Sequence, residues 1–358
     1  MQAMPPQINV GESPRVLLPR LSHIGDCILT LPVANAIKDR FPDSFIAWAI
    51  ESPGDFLVKG CQAVDEVITI PKGWLKKPRQ AWALRRQLRA LNFDISIDPQ
   101  SLTKSAGIGW VSGAKQRVGL TKPLGRELAP WLNNVNVSVD SKHLVDRSLE
   151  MLKVIGITNP AARFDLQIPK SATSFANEMA ADSKLKSGFV VINPGAGWQS
   201  RQWSNKRFGA VASYLGSQYG LTSLISWFGD QEERMADEIV SSSDGHAVKA
   251  PSTRLWELAA LIQRSRFFVG CDTGPSHLAG ALSVPCITLF GTTEPSASAP
   301  YELDASNPIH IRIQKYYQSG SSRERRKAEN AAMMEIQIDD VTSGVDQMMK
   351  QRSANAAA

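Results

Sequence analysis

Cysteine is scarce in this chain of 358 residues: Cys27, Cys61, Cys271 and Cys286 are all it has, and no two form a C-x-x-C pair. That scarcity argues against a disulfide framework and against zinc held through thiols. Three of the four fall in or beside apolar segments, which reads as reduced, buried sulfur. Long apolar runs are also missing. None approaches the roughly 20 residues needed to span a bilayer. The stretch Met1 to Pro14 is polar, carries three prolines and has no apolar signal core, so a loose tail and a cytoplasmic location are expected. Aromatics make up only 7% of the residues. No nucleic-acid motif accompanies the positive charge and aromatic interleaving is sparse, so nucleic acid is not expected as a partner. The first strand-turn-helix segment offers only Gly25 and not G-x-G-x-x-G, which discounts a dinucleotide-dependent dehydrogenase.

What is present points to two domains. The length suggests about two on size alone. A hydrophobic share of 43% is ample for two cores. The charge divides unevenly. Residues 14–168 hold 21 Lys and Arg against 14 Asp and Glu, a net of +7, whereas residues 187–350 hold 15 against 17, a net of −2. The excess includes Lys76, Lys77, Arg79, Arg85, Arg86, Arg89, Lys104, Lys115, Arg117, Lys122 and Arg126. Such asymmetry suggests that the first half meets an acidic partner: a phosphorylated lipid, an acidic sugar or an anionic membrane face. A solvated basic helix over Pro78 to Leu91 is the plainer reading of part of the cluster.

The pattern is α/β throughout. Strands are expected near 15–20, 45–50, 66–70, 94–98 and 117–119, with helices between them and a last helix over Val145 to Val154. The run from Pro169 to Gly188 mixes Pro, Lys and Ser and reads as a junction. We therefore expect a Rossmann-like domain over 14–168, a linker over 169–188 and a second Rossmann-like domain over 189–350. In the second half, strands are expected at Phe189 to Asn193 and Thr222 to Trp227. Helices are expected over Ser204 to Gln218, Glu232 to Val240 and Thr253 to Arg264.

Two turns carry the chemistry. After Thr253 to Arg264, an apolar run ends at Asp272. Thr273-Gly274-Pro275-Ser276 turns, a small-residue helix carries His277, and Cys286 to Phe290 is the next strand. Strand, turn, helix and strand make a βαβ unit, whose first turn is where such units bind ligands. Free N–H groups at the helix start suit a phosphate, and His277 can donate to a phosphate or ribose oxygen. An ordinary capped turn with a packed histidine fits the same residues. Near the N-terminus, Val16 to Leu21 reads as a strand, Ser22 to Asp26 as a turn and Cys27 to Phe41 as a helix. Asp26 there is either an N-terminal cap or a carboxylate aimed at a cleft.

The order R-L-S-H-I-G-D at 20–26, N-P-G-A-G-W at 193–198, F-G-D-Q-E-E at 228–233, D-T-G-P-S-H at 272–277 and L-F-G-T-T-E-P at 289–295 resembles glycosyltransferase family 9. These are the ADP-heptose:lipopolysaccharide heptosyltransferases and their relatives. The resemblance runs from about Arg15 to about Val345. It implies a GT-B fold, with two Rossmann-like doubly wound domains facing a central cleft. It also implies inverting transfer from an ADP-sugar to an anionic glycolipid or lipopolysaccharide-core acceptor, with peripheral contact at the inner membrane face. Neither metal nor cofactor is expected. Asp26 would be the general base on the acceptor side. Arg201 falls where relatives carry a Lys or Arg on the phosphates, and its fork suits bidentate contact. Gly195, Ala196 and Gly197 leave backbone bare beside it. Thr273 and Gly274 add donors. An acid at the position of Glu232 holds the ribose hydroxyls in the family, and the backbone of Thr253 meets the adenine. Asp272 either grips sugar hydroxyls or competes with Asp26 as the base. Acceptor contacts are expected from Arg85, Arg86, Lys104, Lys122 and Arg126.

Two other readings share these residues: a sugar-nucleotide epimerase or hydrolase of the same fold, and a non-catalytic sugar-nucleotide binder. The paired presence of Asp26 and Arg201 argues against the binder. The chain also departs from the family. Many relatives carry a cysteine-containing segment before the last helix. Here Tyr316 to Lys327 is rich in Ser and Arg, and only Met334-Glu335-Ile336 remains of that segment. A mobile loop is expected over this run, then a helix over Ile338 to Met349 and an unstructured tail from Ser353.

Overall fold

The computed structural model describes residues 7–52 and 54–357. The chain divides into two compact units, the first ending at Gln167 and the second starting at Ile168. The sequence put the first domain at 14–168. The expected linker at 169–188 is corrected. Lys170–Ala180 is a helix of the second unit and packs on helix Leu255–Arg264, burying Ala172 and Ala176. Pro169 is the residue just before the first helical turn, where proline is well tolerated.

The first unit holds six parallel strands: β1 (Arg15–Pro19), β2 (Phe45–Ile50), β3 (Glu66–Thr69), β4 (Ile95–Ile97), β5 (Gln116–Leu120) and β6 (Val135–Val137). Their order is β3-β2-β1-β4-β5-β6. The central strand β1 pairs Val16 with Ile46 on one side and with Ile95 on the other. Val16, Leu17 and Leu18 are fully buried, as expected when helices cover both faces of a parallel sheet. The second unit repeats the plan with β7 (Phe189–Asn193), β8 (Thr222–Ile225), β9 (Ala247–Lys249), β10 (Phe268–Cys271), β11 (Cys286–Leu289) and β12 (His310–Ile313) in the order β12-β11-β10-β7-β8-β9. Its core joins Val190, Ile192, Phe208, Val211, Val269 and Leu289.

In each sheet the order reverses beside the first strand, at β1/β4 and at β7/β10. The crevice outside the carboxyl ends of the strands at such a reversal is where open α/β sheets bind ligands. The strands β6, β9 and β12 were not expected from the sequence. All three are short edge strands with few apolar residues.

Other expectations change in detail. The single helix read over Cys27 to Phe41 is two helices, Ile24–Ile28 and Leu31–Arg40. Pro32 has no N–H to continue the first helix, but is accommodated at the start of the second. The tail expected before Pro14 is pinned from its described part, where the Ile8 N–H donates to the Val154 carbonyl at 2.7 Å; residues 1–6 lie outside the described residues. The last helix, Ile338–Ala357, runs through the expected tail, and its Val341, Val345 and Met348 are buried in the second core. No helix among the described residues is long and apolar enough to cross a membrane.

Candidate active site

All the donor-side residues singled out from the sequence fall at the carboxyl edge of the second sheet. Gly195, Ala196, Gly197 and Arg201 follow β7, Glu232 follows β8, Thr253 follows β9, and Asp272 to His277 follow β10. The structure joins Arg201, Asp272 and His277 into one cluster. Arg201 sits in the short 3-10 turn Gln199–Arg201, and its Nη1 lies 3.3 Å from Asp272 Oδ2 while donating to the Asp272 carbonyl at 3.1 Å. His277 Nε2 lies 3.3 Å from the other carboxylate oxygen. Asp272 is only 3% exposed, so this pairing is largely desolvated. Burial pushes the Asp272 carboxyl up, but His277, Arg201 and the Thr293 hydroxyl outweigh it and leave its pKa below the ordinary value. Asp272 is therefore an ionised anchor. Arg201 Nε and His277 Nδ1 are buried without a hydrogen-bond partner. Buried polar groups left unpaired are costly, so the cluster is incompletely satisfied at these two atoms.

The loop after β7 meets Glu232. A Cβ at Gly195 would overlap the Glu232 carboxylate, so a side chain there would displace that group. A Cβ at Gly197 would meet nothing, and the backbone there is open. Glu232 Oε2 accepts the Phe228 N–H at 2.9 Å, and burial, opposed by that bond, raises its pKa. Helix Gly274–Ala281 begins beside Asp272 with Pro275 in its first turn. The Thr273 N–H, expected to be a free donor, is taken by Ser276 Oγ at 3.3 Å. This turn is thus a capped helix start, in which the Ser276 and His277 N–H groups also donate to the Thr273 carbonyl, at 3.2 and 3.3 Å. Thr253 lies in the loop ahead of helix Leu255–Arg264.

Sequence reasoning missed the third wall of this cluster. The run expected to be a mobile loop contains helix Ser322–Lys327, packed on the Gln199–Arg201 turn. Ser321 and Glu324 form a capping box at its start, a pattern legible in the sequence. The Arg325 carbonyl accepts from Ser200 Oγ at 2.6 Å, and Arg325 Nη1 donates to the Thr292 carbonyl at 2.9 Å. Arg325 Nε is buried and unpartnered. The Arg326 guanidinium lies 4.5 Å over the Trp198 ring. Arg325 thereby touches the immediate neighbours of Arg201 and of Thr293.

In the first unit, Asp26 is the third residue of the one-turn helix Ile24–Ile28, not its cap. The preceding His23 has φ 62°, a left-handed conformation that swings the chain from β1 into that turn. Asp26 Oδ2 pairs with Arg20 Nη2 at 2.9 Å, and the Asp26 side chain is 36% exposed against 5% for Arg20. Asp98, just past β4, lies on the other side of the order reversal. It accepts from Gln100 N, Ser101 N and Ser105 Oγ at 3.1, 2.9 and 2.9 Å. Burial pushes its carboxyl up to about 7, against those bonds and the charge of Arg20. Arg147 is electrostatically tied to both Arg20 and Asp26, with burial lowering its pKa. Neither Asp98 nor Arg147 was singled out from the sequence. Arg20 was visible only as the first letter of a motif.

The five expected acceptor residues separate. Lys104, Lys122 and Arg126 follow β4 and β5 at the carboxyl edge, and Lys104 pairs with Glu51 beyond β2. Arg85 and Arg86 lie instead in the second half of helix Pro78–Ala90, with Arg86 on its exposed side. The structure does not gather them with the other three.

Two doubly wound units, with a buried Arg-Asp-His cluster at the carboxyl edge of one and a half-buried carboxylate at that of the other, have the architecture of the GT-B class. The glycosyltransferase family 9 (heptosyltransferase) model matches residues 81–329. The chain belongs to this family and is an enzyme of glycosyl transfer. Lipopolysaccharide heptosyltransferase 1 of Salmonella typhimurium is 27% identical over 297 residues, covering 80% of this chain and 91% of that protein. Among solved structures, a glycosyl transferase family 9 protein from Veillonella parvula superposes with a TM-score of 0.78 at 19% identity, covering 96% of this chain and 99% of the other. Escherichia coli heptosyltransferase WaaC with ADP gives 0.71 at 22% identity, covering 94% and 98%.

Proposed function

We propose that the protein transfers a heptose from ADP-heptose to a lipopolysaccharide-core-type acceptor, with inversion at the sugar and without a metal ion. The observation that carries this reading is the Asp272–Arg201–His277 cluster at the carboxyl edge of the second sheet, whose guanidinium and imidazole suit the charge of a diphosphate. Similarity to a heptosyltransferase bound to ADP and to lipopolysaccharide heptosyltransferases supports the substrate pair.

In the proposed step, Asp26 takes the proton from the acceptor hydroxyl. The oxygen attacks the anomeric carbon from the side opposite ADP. The bond from that carbon to the phosphate oxygen breaks, and ADP leaves with the electron pair. A single displacement of this kind inverts the centre and needs no protein nucleophile. Arg201, the backbone at Ala196 and Gly197, and the Thr273–Gly274 turn meet the charge that develops on ADP. His277 donates to the same group, Asp272 holds Arg201 and His277 in place, Glu232 receives the ribose hydroxyls, and the Thr253 backbone borders the adenine. Arg20 orients Asp26. Lys104, Lys122 and Arg126 receive the anionic acceptor, and the enzyme works at the cytoplasmic side of the membrane that holds it.

Asp26→Asn tests the step. Turnover should fall about 100-fold or more, as expected for loss of a general base, while ADP affinity stays within a few-fold. Near-normal turnover would remove Asp26 from the mechanism. EDTA should leave the rate unchanged, and its abolition by chelation would overturn the metal-free step. A β-to-α or α-to-β change at the sugar, read by NMR of the product, checks inversion.

A further inference from the structure

Three of the nine tryptophans stand exposed, and all three belong to the first unit. Trp82, Trp110 and Trp131 are 64%, 53% and 83% accessible. They lie in helices Pro78–Ala90, Thr103–Ser112 and Ala129–Leu132. These helices follow β3, β4 and β5. The sheet order is β3-β2-β1-β4-β5-β6, so each of these connections moves the chain in the same direction across the sheet. With the right-handed crossovers of parallel strands, all three helices lie on one face. The packing agrees: the first helix rests on the second and the second on the third. Beneath them, Leu84, Leu88, Ile108 and Val111 bury against Leu17, Ala47 and Ile68 of the sheet. The three tryptophans thus project from the outer side of one helical layer. Leu75 and Leu128, also exposed, flank them at the ends of the first and third helices.

The charge on the same layer has one sign. From Pro71 to Asn92 the chain carries Lys72, Lys76, Lys77, Arg79, Arg85, Arg86 and Arg89 and no acid. Arg86 lies 5.9 Å over the Trp82 ring. Glu127, beside Leu128, turns back to accept the Thr103 N–H at 3.3 Å. A large exposed tryptophan is costly on a surface that meets only water. Tryptophan among arginine and lysine is the composition of a surface seated at the headgroup level of a bilayer, where the ring is half apolar and half wet.

We propose that this layer, formed by helices Pro78–Ala90, Thr103–Ser112 and Ala129–Leu132, docks on an anionic phospholipid bilayer through Trp82, Trp110 and Trp131, with Lys76, Lys77 and Arg79 meeting the headgroups. The inference rests on the reading of the acceptor as a glycolipid and adds the surface by which the enzyme reaches it. The tryptophans insert their rings between headgroups, and the cations are drawn to anionic lipid with a strength that salt weakens. No helix among the described residues is long and apolar enough to cross the bilayer.

Co-sedimentation of the full chain with vesicles tests the proposal. One set is phosphatidylcholine mixed with phosphatidylglycerol, the other phosphatidylcholine alone. The protein should partition onto the mixed vesicles at low salt and far less onto the neutral ones. The Trp82→Ala/Trp110→Ala/Trp131→Ala variant should lose at least about tenfold of that partitioning. Its ADP affinity and its transfer to a delipidated, soluble acceptor should stay unchanged. The Lys76→Gln/Lys77→Gln/Arg79→Gln variant should lose about 100-fold at low salt and little at high salt. Bromolipid in the bilayer should quench wild-type tryptophan fluorescence, a readout that stands even if a variant misfolds. Equal partitioning onto both vesicle sets, or an unaltered tryptophan variant, overturns the proposal. So does a dimer of the free protein that the tryptophan variant abolishes, since the face would then belong to a second copy. Transfer to the soluble acceptor without vesicle binding removes this inference alone, and absence of that transfer removes the transferase reading itself.

Discussion

At the scale of single residues, two buried carboxylates have been driven in opposite directions. Asp272 keeps its charge because a guanidinium, an imidazole and a hydroxyl surround it and outweigh the burial that pushes its pKa up. Arg201 shares that charge, so its loss acts twice. Arg201→Ala should weaken ADP itself, not only the sugar nucleotide, by about 1.5–3 kcal/mol, roughly 10- to 150-fold in Kd by calorimetry. Unchanged ADP affinity would place Arg201 outside the site. At Asp98 burial outweighs the three hydrogen bonds and the charge of Arg20, and its carboxyl is pushed up to about 7. The folded protein then holds a proton that the unfolded chain has already released above about pH 4. Stability should therefore fall as pH rises from about 4 to about 7, by at most about 1.4 kcal/mol per pH unit, and level off above that. Asp98→Asn should flatten that slope in urea melts taken across the range. A slope that persists in the variant would assign it to another group.

At the scale of elements, local signals sufficed wherever a segment was apolar and central. The strands β1, β2, β7, β10 and β11 are runs of Val, Ile, Leu and Phe that must be buried on both faces, and they were legible as such. The edge strands β6, β9 and β12 were not, because an edge strand is chosen by the neighbour it pairs with and not by its own composition. The run from Tyr316 to Lys327 misled for a related reason. Its Ser and Arg residues read as solvated, yet Arg325 is held by Thr292 and Ser200, partners more than 30 and 120 positions away in the chain. This helix sets a guanidinium beside the turn that carries Arg201. Arg325→Ala should weaken ADP about 3- to 10-fold, since one buried hydrogen bond from a charged donor and the support of two turns are lost. Calorimetry alongside a thermal melt separates the outcomes: a lowered Tm with unchanged ADP affinity would make the segment packing and nothing more.

At the scale of the whole molecule, the sequence by itself determined the class of fold. Apolar strands alternating with amphipathic helices can bury both faces of a parallel sheet in few other ways, and the alternation starts twice. It also determined which residue types sit at the carboxyl ends of the strands, because a turn follows each apolar run and the chain must carry Asp26, Arg201, Glu232 and Asp272 there. Net charge, a sum over residues, needed no structure to show that the first half is basic. Tertiary structure alone decided which of those residues meet. Strand order put β4 beside β1 and β10 beside β7, and so brought Asp98 to Arg20 and Asp272 to Arg201 across 78 and 71 positions. It also split the basic residues, leaving Arg85 and Arg86 on a helix and Lys104, Lys122 and Arg126 at the strand ends. Hydrophobic periodicity says that a side chain is on the outside of a helix. Only the order of strands says that Trp82, Trp110 and Trp131 share one outside, because that depends on the direction in which each connection crosses the sheet.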